Sequence, residues 1–124
     1  MKIKERILPP VTIKLRKSKM VAITIKIGNA QIGGSILQFD GDEEPLAKGR
    51  IKEVELGKGS LLAGKQLQIE TNVLDSNTAT NKIVIRHIFH YNEGDTIETI
   101  TIEDEVDEHR DILSCKATYL FIEL

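Results

Sequence analysis

Apolar residues alternate with polar or small ones through most of the chain. In VAITIKIG, the residues Val21, Ile23, Ile25 and Ile27 occupy every second position, and VTIKLRK repeats the pattern. Successive side chains of a β-strand point to opposite faces, so this period of two predicts strands with one buried face. No segment shows the period of 3.6 residues that is typical of an amphipathic helix.

Turn-forming residues separate these segments, as in NAQIGG, DGDEEPLAKG and DSNTATN. Strands that recur every 8–12 residues or so with turn residues between them are typical of β-sandwiches. The predicted fold class is therefore all-β, an antiparallel β-sandwich of about eight strands with an immunoglobulin-like or C2-like Greek-key topology. The chain has one Cys and no Trp, so it lacks the Cys–Trp–Cys pattern of true immunoglobulin domains.

A length of 124 residues suits one domain with its own core. Pro9 and Pro10 lack backbone donors and limit the preceding residues to an edge strand or a loose arm. The predicted division is an N-terminal arm or edge strand at residues 1–10 and a single β-sandwich domain at residues 11–124.

The polar run DSNTATN lies between the alternating segments QLQIETNV and IVIRHIFHY. Pairing the two segments about the middle of this run places Val73 opposite Ile83 on the inner side. The same register places Glu70 opposite Arg86 on the outer side, a favourable pair worth roughly 0.2–1 kcal/mol. We therefore predict a β-hairpin here, a similar antiparallel return of SILQF against VAITIKIG, and a last hairpin between DTIETITI and ILSCKATYLFIEL.

The last segment is apolar on both faces, because Leu120, Ile122 and Leu124 alternate with Tyr119 and Phe121. Such a strand is either central in its sheet or presented to a partner.

The net charge is −2, so no global field attracts nucleic acid or an anionic membrane. Its distribution is uneven: residues 1–26 carry eight Lys or Arg and one acid, and residues 93–111 carry nine acids and one Arg. These segments either lie on neighbouring strands of one fold or complement each other between copies. The single Cys and the frequent Ile and Lys favour a bacterial, cytoplasmic protein.

Acidic loops are the main candidates for a cation site, since calcium binds six to eight oxygens. The weak calcium candidates are Asp40, Asp42, Glu43, Asp75, Asn77, Asp104 and Asp107. The alternative is that DSNTATN is a solvated turn held by Asx and Ser/Thr hydrogen bonds, which need no metal.

Residue patterns that support catalysis are missing. His87 and His90 are three positions apart on a predicted strand, so they point to opposite faces and cannot chelate one ion together. Cys115 is expected to be a small buried thiol, and no serine has a G-x-S-x-G setting. We predict no enzyme activity, no catalytic residue and no cofactor.

The few aromatic residues are predicted to point inward, which argues against platforms for sugars or stacked bases. The sequence favours a non-enzymatic β-sandwich that acts through protein–protein contacts, as an accessory, scaffold or assembly subunit. Its contacts would use a sheet edge and the C-terminal strand, with possible self-association and without nucleic acid or membrane partners. The alternative is a C2-like module that binds calcium or acidic lipid through its end loops.

Overall fold

The alternating segments form strands in the computed structural model, which describes residues 1–124. Ten strands and one short helix are present. They are β1 (Ile3–Ile7), β2 (Val11–Leu15), β3 (Met20–Ile27), β4 (Ile32–Phe39), β5 (Ala47–Gly49), β6 (Val54–Lys58), α1 (Gly59–Leu62), β7 (Gln66–Leu74), β8 (Lys82–Tyr91), β9 (Thr96–Glu105) and β10 (Ile112–Glu123). The helix has four residues, and no helix of this protein is long and apolar enough to cross a membrane.

Two packed sheets confirm the predicted all-β sandwich. The six-stranded sheet has the order β1-β10-β7-β4-β5, and β2 also pairs with β10. The four-stranded sheet has the order β6-β3-β8-β9. The strand number is ten instead of about eight, because β1 and the three-residue β5 also pair. Both β1 and β2 run parallel to β10, so the six-stranded sheet is mixed.

The N-terminal segment lies on the chain's own sheet. β1 pairs with the first half of β10, from Ile3 with Ile112 to Ile7 with Lys116. After the break at Pro9 and Pro10, β2 pairs with the second half of β10. Residues 3–7 are thus an edge strand, and all five are exposed.

The inner faces of both sheets meet in one core of 23 buried hydrophobic residues. β7 contributes Leu67, Ile69 and Val73, and β8 contributes Ile83, Ile85 and Phe89, which confirms the inward side predicted for both strands. A hydrogen bond of 2.6 Å between His87 Nδ1 and Tyr119 Oη joins the two sheets inside this core.

The predicted hairpin between residues 66–74 and 82–91 is wrong. β7 belongs to the six-stranded sheet, whereas β8 belongs to the four-stranded one. Glu70 is in register with Lys116 and Ile36, and Arg86 is in register with Lys26. The Glu70 and Arg86 side chains therefore lie on opposite outer surfaces of the molecule.

The other two predicted hairpins are also wrong. The chain changes sheet between β3 and β4 and again between β9 and β10. Alternation identifies the inner side of each strand, but two inner sides can lie next to each other in one sheet or face each other across the core. A surface charge pair worth less than about 1 kcal/mol is too weak to decide between these arrangements.

Buried polar side chains hold the crossing between β7 and β8. Gln31 Nε2 donates to Asp75 Oδ1 at 2.8 Å, and both residues are buried. Gln31 Oε1 accepts hydrogen bonds from the backbone N–H groups of Ser76 at 2.7 Å and Asn77 at 2.9 Å. A crossing loop has no strand partner for its backbone, and here side chains satisfy these groups.

The crossing between β9 and β10 is held in the same way by Asp111. Its carboxylate accepts hydrogen bonds from the backbone N–H groups of Lys2 at 2.9 Å and Glu108 at 3.0 Å. These backbone hydrogen bonds, the one from Lys2 first, lower the pKa of Asp111.

Salt bridges close one side of the sandwich. Asp104 on β9 pairs with Lys4 at 2.8 Å and with Arg6 at 3.0 Å, and both cations lie on β1. Burial alone would raise the pKa of Asp104, but the hydrogen bonds from Lys4, the Glu105 backbone N–H and Arg6 outweigh it and lower the pKa. The basic and acidic segments thus meet within one chain.

Candidate interaction surface

The structure divides the calcium candidates between the two ends of the molecule. Asp40, Asp42 and Glu43 follow β4, at the end where β7 begins. Asp75, Asn77, Asp104 and Asp107 lie at the other end, where β7 finishes. No three His, Cys, Asp or Glu side chains come together as a group that could hold a metal ion.

Several of these candidates already have protein partners. Asp104 binds Lys4 and Arg6, and Asp75 accepts the hydrogen bond from Gln31. The Asn77 side-chain oxygen accepts a hydrogen bond of 2.9 Å from the Ala79 backbone N–H, an Asx turn within DSNTATN. These contacts explain the polar residues by loop structure alone.

The histidines point to opposite faces, as predicted. His87 is fully buried (0% exposed), and burial lowers its pKa to about 4, so the ring is neutral near pH 7 and out of reach of a solute. His90 is half-buried on the outer face of the four-stranded sheet, where its Nε2 lies 3.1 Å from Thr24 Oγ1.

Cys115 is a buried free thiol, as predicted. Its burial raises the pKa, which disfavours the reactive thiolate.

The grooves on the surface differ in the reactive groups that line them. An open groove of about 310 Å³ is lined by both His90 and Glu53, but the His90 ring lies within hydrogen-bond distance of Thr24 Oγ1 and the Tyr91 carbonyl and not of Glu53.

Another open groove of about 440 Å³ lies between β3 and β4, where Lys26 and Arg50 lie beside glycines 33, 34 and 49. Its only hydroxyl belongs to Ser35, which is buried and hydrogen-bonded to Thr71 Oγ1 at 2.7 Å. The groove contains no carboxylate or histidine that could act as a base.

The outer face of the six-stranded sheet carries an apolar row across four strands. This row consists of Ile3 on β1, Ile112 on β10, Leu74 on β7 and Ile32 on β4, which are in register with one another. Ile3 is 62% exposed and Ile32 is 64% exposed, and the two central side chains are half-buried. No other element of the chain covers the apolar row.

A second row lies four residues along the strands and combines apolar and charged groups. This charged row consists of Ile7, Lys116, Glu70 and Ile36 in the same strand order. These four residues line an open groove of about 380 Å³. Lys116 and Glu70 are neighbours, yet no salt bridge forms between them, since the three salt bridges of the chain involve other residues.

A polar row separates the apolar row from the charged row. It consists of Glu5, Ser114, Asn72 and Gly34 in the same strand order. The apolar, polar and charged rows together form the outer face of the six-stranded sheet, and the name outer face without a sheet refers to these three rows.

The outer face of the four-stranded sheet differs in composition. Its central part carries Lys26, Arg86 and Thr101 in register on β3, β8 and β9. All three are exposed, so this surface is hydrated and charged.

Sequence reasoning identified the apolar outer side of the C-terminal segment but missed Ile3, Ile7 and Ile32. A signal was present for Ile32, which occupies the polar phase of its segment, whereas Ile3 and Ile7 occupy the apolar phase of theirs, opposite to Lys4 and Arg6. Its meaning depends on which strands lie side by side.

Comparison of the chain with protein-family models, with curated proteins and with solved structures found no match.

Proposed function

We propose that this β-sandwich is a non-enzymatic protein-binding module, an accessory or assembly subunit that binds protein through the outer face of its six-stranded sheet. The observation that carries the proposal is the exposure of Ile3, Ile7 and Ile32, at 62%, 72% and 64%, on one side of one sheet. Single exposed apolar residues are normal, whereas contiguous apolar patches mark interaction sites.

The position of β10 within its sheet supports partner binding through the outer face of the sheet and not through a sheet edge. β10 is central in its sheet, between β7 on one side and β1 and β2 on the other, so its backbone groups are paired. Its outward side chains Ile112, Leu120 and Ile122 are only half-buried. A partner would bury them further.

Two of the sheet edges, that of β9 and that formed by β1 and β2, offer less to an added strand. Lys4 and Arg6 side chains donate to the backbone carbonyls of Glu105 and Glu103 on the edge of β9, at 3.0 and 3.5 Å. The edge formed by β1 and β2 is interrupted by Pro9 and Pro10. Charged side chains and prolines are common protections of sheet edges.

The buried state of His87 and Cys115 supports a function without catalysis, since neither can meet a substrate. A single unpaired cysteine also fits a reducing, cytoplasmic setting. A C2-like role in binding calcium or acidic lipid has no comparable support, because the acidic candidates lie at two ends.

Affinity purification from source cells tests the proposal with three tagged forms of the chain. These are the wild type, Ile32→Asp on the outer face, and Arg86→Glu on the exposed surface of the other sheet as the matched control. We expect the wild type and the control to retain the same protein, this chain itself or another, and Ile32→Asp to lose it. Identical retained proteins for all three forms would contradict the proposal.

A further inference from the structure

The outer face has a pattern that is symmetric about the boundary between β10 and β7. In the charged row, Lys116 and Glu70 flank the boundary with opposite charges, and Ile7 and Ile36 lie one strand further out on each side. In the apolar row, all four positions are Ile or Leu. A surface with this pattern is complementary to a second copy of itself.

The complementarity follows from placing two copies face to face. A two-fold axis that runs parallel to the strands above the β10–β7 boundary places β10 of one copy on β7 of the other. The same axis places β1 on β4 and keeps each row opposite itself. Stacked sheets lie about 10 Å apart with strand directions roughly 30° apart, so residues near the axis stay opposite each other.

In the apolar row, this arrangement places Ile3 of one copy on Ile32 of the second copy. It places Ile112 on Leu74 of the second copy in the same way. Each apolar side chain that is exposed in the single chain then meets another apolar side chain. The hydrophobic effect favours this burial.

In the charged row, Lys116 of each copy lies on Glu70 of the other. These two side chains form no salt bridge within the chain, and Glu70 accepts only a long hydrogen bond of 3.5 Å from Ser114 Oγ, so both charges are available to a partner. In the polar row, Glu5 lies on Gly34, which has no side chain to oppose it. The arrangement therefore creates two opposite-charge contacts without placing like charges together.

The area of the outer face lies near the lower limit for a specific dimer. Its strands β1, β10, β7 and β4 contribute 5, 9, 9 and 8 paired residues. With strands about 4.8 Å apart that rise about 3.3 Å per residue, they cover roughly 490 Å² before side-chain relief is counted. Stable interfaces begin at roughly 600 Å² per partner.

We propose that the chain forms a two-fold symmetric homodimer through the outer face of the six-stranded sheet, with Lys116 of each copy paired to Glu70 of the other. This inference rests on the proposed protein-binding function and names its partner as a second copy of the chain. The dimer is a four-layered sandwich whose two four-stranded sheets lie outermost.

Charge-reversal variants test the pairing. Lys116→Glu alone places two carboxylates opposite each other, and Glu70→Lys alone places two ammonium groups opposite each other. We expect each purified variant to raise the dissociation constant of the dimer at least about tenfold in sedimentation equilibrium. An equimolar mixture of the two variants restores the dimer. In the mixed pair, the introduced carboxylate of one copy faces the introduced ammonium group of the other, and the unchanged Glu70 faces the unchanged Lys116.

The mixture separates association from folding. Within each variant the neighbouring residues 70 and 116 carry like charges, whether the protein is alone or mixed, so only contact between copies explains a restored dimer. Ile3→Thr/Ile32→Thr is a second disruptive variant that keeps the core intact, because both side chains are already exposed. Arg86→Glu serves as the control that stays dimeric.

Two outcomes would overturn the homodimer. One is a wild-type chain that is monomeric at about 100 µM, a concentration chosen near the weak end of specific association. The other is a dimer that Lys116→Glu, Glu70→Lys and Ile3→Thr/Ile32→Thr leave unchanged. In either case the proposed protein-binding function is judged separately, by whether Ile32→Asp loses a different protein in the affinity purification.

Discussion

The two faces of the six-stranded sheet are built from the same strands and differ in what covers them. Inward residues of β10, such as Tyr119 and Phe121, are fully buried against the four-stranded sheet. Outward residues such as Ile112 and Leu120 are only half-buried, and Ile3 beside them is largely exposed. Apolar residues thus occupy both phases of the alternation, but only one phase has a partner within the chain.

Burial of apolar side chains therefore has a different consequence on each face of the six-stranded sheet. On the inner face, burial stabilises the folded chain, so changes there alter the free energy of unfolding. On the outer face, the proposed association would bury the apolar side chains, so we expect changes there to alter binding and to leave the free energy of unfolding nearly unaffected. The following predictions test this separation, from the largest expected effect to the smallest.

Phe121→Ala tests the inner face. The ring is fully buried and packs edge-on against Phe89 at a centroid distance of 5.8 Å. We expect its removal to lower the free energy of unfolding by about 3–5 kcal/mol through lost burial and a residual cavity. Urea denaturation of Phe121→Ala and of outer-face Ile32→Thr measures the difference, since the latter should change stability by less than about 0.5 kcal/mol. Equal losses for the two variants would remove the distinction.

The His87 ring makes the inner face sensitive to acid. Burial lowers its pKa from 6.5 to about 4, so the unfolded chain binds a proton more readily between these pH values. The titration of His87 therefore costs the fold nothing above pH 6.5, and the folded state loses stability as the pH falls from 6.5 to 4 because the unfolded chain takes up the proton. The loss amounts to roughly 3 kcal/mol.

His87→Gln is the control for this titration, because an amide can still hydrogen-bond to Tyr119 and does not ionise. We expect the free energy of unfolding of the wild type to fall more steeply than that of His87→Gln as the pH falls from 7 to 4. Parallel pH profiles of the two proteins would show that His87 does not titrate differently on unfolding.

Asp104→Asn tests the salt bridges at the side of the sandwich. The solvent exposure of these side chains is intermediate between that of the inner face and that of the outer face. The carboxylate is mostly buried, but Lys4 and Arg6 are about half-exposed, so solvent weakens the attraction. We expect a loss of about 1 kcal/mol near pH 7 in thermal or urea unfolding. The lowered pKa means that this contribution is present above the ordinary aspartate pKa and is lost as the pH falls through the lower folded-state value. The neighbouring Glu105→Gln, which removes no salt bridge, should have a smaller effect.

Of all these tests, the addition of calcium is expected to change the stability of the protein least. The acidic candidates lie at opposite ends and no three of them converge, so millimolar calcium should produce no binding heat in calorimetry and no change in Tm. A rise in Tm that Asp75→Asn or Asp107→Asn removes would show a calcium site at that end.

Much of the fold could be predicted from alternation. The inward sides of residues 67–73 and 83–89, the buried thiol of Cys115 and the opposite directions of His87 and His90 all follow from a period of two. The strand pairs could not be predicted, because Glu70 and Arg86 fit a hairpin as well as they fit two separate surfaces. Gln31 and Asp75, which hold the crossing between sheets, are 44 positions apart and have no local signature.

The candidate surface was predictable only in part. The outward apolar residues at the end of the chain were visible in the sequence, whereas the apolar row combines residues from β1, β10, β7 and β4. Ile3 and Ile32 are isolated exposed isoleucines until these strands are placed side by side.

The sequence by itself determined the buried side of strands such as β2, β3 and β7, because neighbouring side chains point in opposite directions and only one direction of these strands is rich in apolar groups. Tertiary structure decided which strands share a sheet, since each inner side can be buried equally well beside or across from the next. That choice alone brought Lys116 next to Glu70 and aligned the uncovered isoleucines into one surface.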